Sequence, residues 1–285
     1  MLPGHAPIGV FDSGVGGLSV LKEIRLQMPN ESVLYFGDQG HVPYGPRRVD
    51  EVRMFSEQIT RFLLGLRAKL IVVACNAASA AALQYLRQIF PAISFVGMEP
   101  AVKPAAEVTH NGVVGVLATP ATFQGALYAS VVERFASGVK ILQDTCPGLV
   151  GQIENGELDS DTTREILEKA LRPMLEQGID TVVLGCTHYP FVIPMIKQIV
   201  GPEVRVIDPA PAVARQAARL LEMAGLREKE NGTGLLRFYT SGEPARFSQL
   251  LPTLLGEPGE VQQSIWSGKE IHSAAGVDRF YRQVE

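Results

Sequence analysis

The chain has 285 residues, 46% of them hydrophobic, a net charge of −4 and three cysteines. That length accommodates two α/β domains of ordinary size or one large one, and the composition is that of a packed globular protein. Scattered charge without a Lys/Arg cluster excludes a nucleic-acid surface. No apolar run reaches about 18 residues, so no membrane span is expected. The opening residues hold no basic segment followed by an apolar core, so no secretory signal is expected. Three cysteines make no disulfide framework, and a reducing cytoplasm suits free thiols.

Residues 8–11 (IGVF) read as a buried strand that ends in Asp12-Ser13-Gly14-Val15-Gly16-Gly17. Leu18, Leu21 and Ile24 then recur at helical spacing. The dinucleotide fingerprint fails, because Ser19 stands where a third glycine is needed, and no P-loop lysine follows. What remains is a turn of backbone N–H groups at a helix start, suited to a small anion such as a carboxylate. Residues 33–36 form the next strand, followed by Asp38 and a Pro43-Tyr44-Gly45 turn whose tyrosine, on residue type alone, reads as half-buried packing. An amphipathic helix is expected over 50–66, then a strand over 70–74 (LIVVA) delivering Cys75, Asn76 and Ala77. An alanine-rich helix over 77–89 and a strand over 95–98 close this unit at Glu99-Pro100.

The pattern then restarts. Residues 113–117 (VVGVL) match IGVF, and residues 181–184 (TVVL) deliver Cys186, Thr187 and His188. A strand ending in Asp208-Pro209 matches the one ending in Glu99-Pro100. These landmarks recur at offsets of 106, 111 and 109 residues, the sign of a duplicated strand–helix unit and two similar facing lobes. A helix is expected over 161–177, loosened at Pro173. Another is expected over 212–224, then a polar loop over 227–234 and a strand over 235–240. From Gly256 onward the pattern fades, and Trp266 has no assigned role. Cys146 matches neither strand end and reads as a small buried residue.

In parallel α/β folds the strand C-termini face the ligand crevice, so both thiols stand where chemistry is done. A thiol is a strong nucleophile whose proton exchanges readily near neutrality. One thiol on each face of a substrate is what inversion of a carbon centre requires: one removes a proton, the other returns one. His188, two residues beyond Cys186, and Asp12, at the neighbouring strand end, are candidates to help, while Cys-x-His alone lacks the ligand spacing of a zinc site.

Six segments together resemble the glutamate racemase family of cofactor-independent aspartate/glutamate racemases. They are FDSGVGGLSV (11–20), YFGD with PYG (35–38, 43–45), ACN with ASA (74–76, 78–80), IENGEL (153–158), LGCTHYP (184–190) and FYTSGEPARF (238–247). The resemblance implies interconversion of L- and D-glutamate without pyridoxal phosphate or metal, supplying D-glutamate for peptidoglycan. It implies Cys75 and Cys186 as the acid/base pair, assisted by Asp12, His188 and Glu154. It implies substrate contacts from Asp12, Ser13, Tyr44, Gly45, Asn76, Ala77, Thr119, Thr122, Thr187 and His188. Ala77 departs from the family's usual threonine, and Gln39-Gly40-His41 from its usual loop, which keeps an aspartate or broader acidic amino-acid racemase open. A Cys186/His188 hydrolase and a non-catalytic amino-acid-binding module are the other readings.

The expected architecture is therefore two similar α/β domains with mainly parallel sheets and the active site between them. Residues 1–98 with 210–285 form the first and 99–209 the second. The expected partner is small-molecule glutamate, with no nucleic acid and no membrane, and a single chain and a homodimer both fit.

Overall fold

A computed structural model describes residues 5–229 and 232–273. Two sheets organise it. The first contains β1 (Ile8–Asp12), β2 (Val33–Gly37), β3 (Leu70–Val73) and β4 (Phe95–Gly97). The second contains β5 (Val113–Ala118), β6 (Lys140–Asp144), β7 (Thr181–Gly185) and β8 (Arg205–Ile207). The chain then returns to the first sheet with β9 (Leu236–Thr240), β10 (Val261–Ser267) and β11 (Glu270–Ser273). Strand order is β11-β10-β9-β2-β1-β3-β4 in one sheet and β6-β5-β7-β8 in the other. All pairings are parallel except β10 with β11. The inner order β2-β1-β3-β4 is repeated as β6-β5-β7-β8, so the recurrence of short sequence landmarks corresponds to a recurrence of topology.

The helices follow from the strands they cover. Alternate residues of β1 and β3 point to opposite faces, Ile8, Val10 and Val72 to one and Phe11, Ile71 and Val73 to the other. The first face is covered by α1 (Leu18–Gln27), the second by α2 (Val49–Gly65) and α3 (Asn76–Ile89). In the second sheet α4 (Val102–Val108), α5 (Pro120–Gln124) and α6 (Ala126–Phe135) gather on one side. On the other lie α7 (Leu149–Glu154), α8 (Asp161–Glu176) and α9 (Ile193–Val200). α10 (Ala210–Met223) and α11 (Pro244–Leu254) pack back on the α1 face of the first sheet. Strands buried on both faces explain why β1, β3 and β7 read as near-continuous apolar runs. Among the described residues no helix is long and apolar enough to cross a membrane.

Three elements add to the sequence reading. β6 has no place in the sequence reading, because this edge strand (KILQD) is only half-buried and lacks the apolar run of its neighbours. α8 continues past Pro173 to Glu176; the proline sits on the exposed face and has no N–H to donate to the Lys169 carbonyl. From Gly256 to Ser273 the chain forms β10 and β11, whose Gln-rich sequence and exposed Ile265 hide the strand alternation. Of the expected polar loop and the tail, residues 230, 231 and 274–285 lie outside the described residues.

Candidate active site

The carboxyl ends of β1, β3, β5 and β7 converge on one small cavity. From the first sheet's side Ser13, Tyr44, Gly45, Cys75, Asn76 and Ala77 line it, with Pro43. From the second sheet's side come Thr119, Cys186, Thr187 and His188, with Val150. Both sulfurs therefore border one space. Cys75 and Cys186 are each 5% exposed, small windows on otherwise buried thiols.

Cys75 is the N-cap of α3, in extended conformation, so its sulfur stands at a helix N-terminus. Its Sγ lies 3.8 Å from Ser13 Oγ. Burial, and then the charge of Asp12, push the Cys75 thiol well above its ordinary range, while the N–H groups of Ala78 and Ser13 pull it back. Asp12 is completely buried: Oδ2 accepts from Gly17 N–H at 2.9 Å and Gly14 N–H at 3.4 Å, and the Cys75 thiol is a further side-chain partner of the carboxyl. Burial raises its pKa too, against the His188 charge and the Gly17 hydrogen bond.

The second thiol has a different neighbour. His188 Nδ1 lies 3.7 Å from Cys186 Sγ, and Nε2 lies 2.7 Å from Glu154 Oε1. Burial works against a charged imidazole. The hydrogen bonds to Cys186 and Glu154 outweigh it and hold His188 well above 6.5. Burial likewise opposes the Glu154 carboxylate, but His188, Val15 N–H and Gln39 outweigh it and keep the group below 4.5. Glu154 thus fixes the ring from behind, leaving the other nitrogen for the sulfur.

The glycine-rich turn is not the open anion site that its sequence suggests. Gly14 and Gly17 N–H go to Asp12, and Val15 N–H donates to Glu154 Oε1 at 2.8 Å. The anions it binds are the protein's own. Glycine is needed for close approach: a Cβ at Gly14 would lie 1.9 Å from Glu154 Oε1, and one at Gly16 would lie 2.4 Å from His188 Nδ1.

The remaining expected residues divide. Asn76 is buried on the cavity wall with neither amide atom hydrogen-bonded. A buried amide left unpaired marks a place for a ligand with both donor and acceptor groups. Tyr44 is 1% exposed rather than half-buried, and its hydroxyl donates to Asp38 Oδ2 at 2.5 Å. Thr119 borders the cavity, but Thr122 stands behind it, hydroxyl to hydroxyl at 3.2 Å. Asp12 and Glu154 also lie behind the wall rather than on it. Cys146 is buried beside Leu149, Ile153 and Tyr189, off the cavity. Sequence reasoning did not single out Val150, a lone half-buried valine carrying no chemical signal, or the wall contact of Pro43.

Comparison with known proteins agrees with this geometry. The Asp/Glu/Hydantoin racemase family model matches residues 8–217. A glutamate racemase of Roseiflexus sp. is 48% identical over 260 residues, covering 91% of this chain and 96% of its own. The crystal structure of a glutamate racemase isoform from Bacillus anthracis superposes with a TM-score of 0.82 at 35% identity, covering 93% of this chain and 99% of that one. That of the Francisella tularensis glutamate racemase in complex with D-glutamate gives 0.80 at 30% identity, covering 93% and 98%. With a family model spanning most of its length and relatives this similar from end to end, the chain belongs to the Asp/Glu/hydantoin racemase family.

Proposed function

We propose that this protein interconverts L- and D-glutamate by proton exchange between Cys75 and Cys186, without a cofactor. The observation that carries the reading is the pair of thiols, one from each sheet, bordering a single small cavity. The relatives' activity supports the substrate, as does the D-glutamate found in the Francisella enzyme. The unpaired Asn76 amide supports a polar ligand there.

The two thiols have different neighbours. His188, held protonated, places a positive charge 3.7 Å from the sulfur of Cys186. Cys75, pushed up by burial and Asp12, is held as a thiol. A thiolate on one side and a thiol on the other form the set that one turnover consumes. The Cys186 thiolate removes the α-proton, and Cys75 delivers its own to the opposite face. The pair is then left with exchanged protons, ready for the other enantiomer. Asp12, with its raised pKa, is placed to reprotonate Cys75, and His188 to relay at Cys186. Glu154 acts through His188.

In this reading residues 1–98 with 210–285 form one lobe and 99–209 the other. The enzyme works in the cytoplasm and feeds D-glutamate to peptidoglycan. Ala77, which brings no hydroxyl to the wall, favours aspartate as the alternative substrate.

The test is turnover of both enantiomers of glutamate and aspartate in heavy water, read by circular dichroism and by deuterium at the α-carbon. The parent racemises glutamate faster than aspartate, with deuterium entering the product, and either Cys75→Ser or Cys186→Ser abolishes racemisation. A single-cysteine variant racemising at the parental rate, or parental turnover without deuterium entry, overturns the mechanism.

A further inference from the structure

Asp38 lies just past the end of β2 and is completely buried. Tyr44 Oη donates to its Oδ2 at 2.5 Å, Ser241 Oγ to Oδ1 at 2.5 Å and Trp266 Nε1 to Oδ1 at 3.0 Å. His41 Nδ1 lies 3.0 Å from both oxygens. These partners come from three separate stretches: the loop 38–45, the residue after β9, and β10 of the terminal hairpin. Of them Tyr44 borders the reaction cavity. Ring contacts reinforce the same connection. Trp266 meets His41 edge-on at 5.1 Å and Phe55 at 5.5 Å, and Phe55 stacks on Tyr44 at 5.6 Å. β10 lies outside the residues matched by the family model, so nothing in that match accounts for its reach to the cavity wall.

We infer that Trp266 is a positioning residue for the reaction: its indole N–H holds the Asp38 carboxylate, which holds Tyr44 and with it the Tyr44–Gly45 wall of the cavity. The inference rests on the cavity being the racemase site. A buried carboxylate shared by several donors stays put only while each donor is present, because an unmet lone pair in the interior is costly. Removing the indole N–H lets the carboxylate and the tyrosine bound to it shift, and the loop 38–45 loosens.

The experiment compares the parent, Trp266→Phe, Tyr44→Phe and the double variant. Kinetics are measured in both directions, with hydrogen exchange of the amides in 38–45 without substrate. Trp266→Phe is expected to raise KM about fivefold, with kcat changed less than about twofold, less than the full loss of a hydrogen bond to a charged group because the indole reaches the cavity only through Asp38 and Tyr44. Exchange in 38–45 rises. In the Tyr44→Phe background the same substitution adds nothing to KM, since the connection is already cut. Val261→Ala, which thins the packing of β10 on the opposite face of the sheet, lowers Tm but leaves KM alone. If Trp266→Phe folds poorly, Ser241→Ala removes the neighbouring donor on the same oxygen and carries the same expectation. A parental KM with parental exchange in 38–45, or a full KM effect that persists in Tyr44→Phe, overturns the proposal. Failure of the functional reading is distinct: it appears as absent turnover in the parent, while the exchange of 38–45 still reports the coupling.

Discussion

Replacing Glu154 by glutamine keeps the shape of a buried side chain and removes its charge. In the parent, Oε1 accepts from His188 and Val15 N–H, and Oε2 accepts from Gln39 Nε2 at 3.1 Å. Glutamine has a single acceptor oxygen. With that oxygen on His188 and Val15, its amide nitrogen faces the Gln39 amide, donor against donor. The lost charge-assisted hydrogen bond amounts to about 1.5–3 kcal/mol. At about 1.4 kcal/mol per tenfold, kcat/KM falls roughly ten- to a hundredfold. The fall is equal in both directions, because the enantiomers have equal free energy, and only kcat and KM taken singly differ. The charge on His188 is easier to lose in the variant, so the alkaline limb of the rate profile moves to lower pH.

Stability follows with a defined sign. The lowered Glu154 pKa contributes stability above its ordinary 4.5, lost as pH falls through the folded value. The raised His188 pKa contributes stability below its ordinary 6.5, lost as pH rises through the folded value. The Tm gap between parent and variant is therefore widest between these two pH values and narrows on either side. Circular-dichroism rates and thermal melts across a pH series measure both effects. An unmoved alkaline limb together with a pH-independent Tm gap would refute the assignment of Glu154 as the group that holds His188 charged.

Three further outcomes use positions with contrasting surroundings. Gly16→Ala forces a Cβ onto the His188 ring and is expected to cost about 1–3 kcal/mol of stability and most of the activity. Gly65→Ala, at the end of α2 with nothing within 4 Å of the added Cβ, leaves activity unchanged and stabilises by about 0.4–1 kcal/mol in denaturant melts. Cys146→Ala keeps full turnover in the racemase assay and lowers Tm by the loss of a small buried side chain. A Cys146→Ala enzyme without activity would place that sulfur in the chemistry.

What could be read from the sequence were the features with strong local signatures. The runs IGVF, LIVV and TVVL are apolar without alternation because their strands are covered on both faces, so the thiols behind them could be placed at strand ends. His188 was found by its nearness to Cys186 in the chain. The half-exposed KILQD strand lacked that signature and was missed. The glycine turn was misread because sequence shows N–H groups but not which carboxylates fill them; Glu154 approaches Val15 from 139 residues away. Trp266 had no meaning until folding brought it to Asp38, 228 residues distant in sequence. Long-range hydrogen bonds of that kind leave no periodic trace.

The repeated strand order sets like positions of the two halves side by side, and their ends differ. β1 and β5 are counterparts, yet one ends in Asp12 while the other gives way to Thr119. β3 and β7 are counterparts, yet Cys75 is followed by Asn76-Ala77 and Cys186 by Thr187-His188. Each half has a sulfur and a different ionisable companion, the Asp12 carboxylate from a neighbouring strand end in one and the His188 imidazole two residues on in the other. A molecule with matched companions would present two sulfurs of like character to its ligand. Unequal companions give one architecture, used twice, two sulfurs in different electrostatic surroundings.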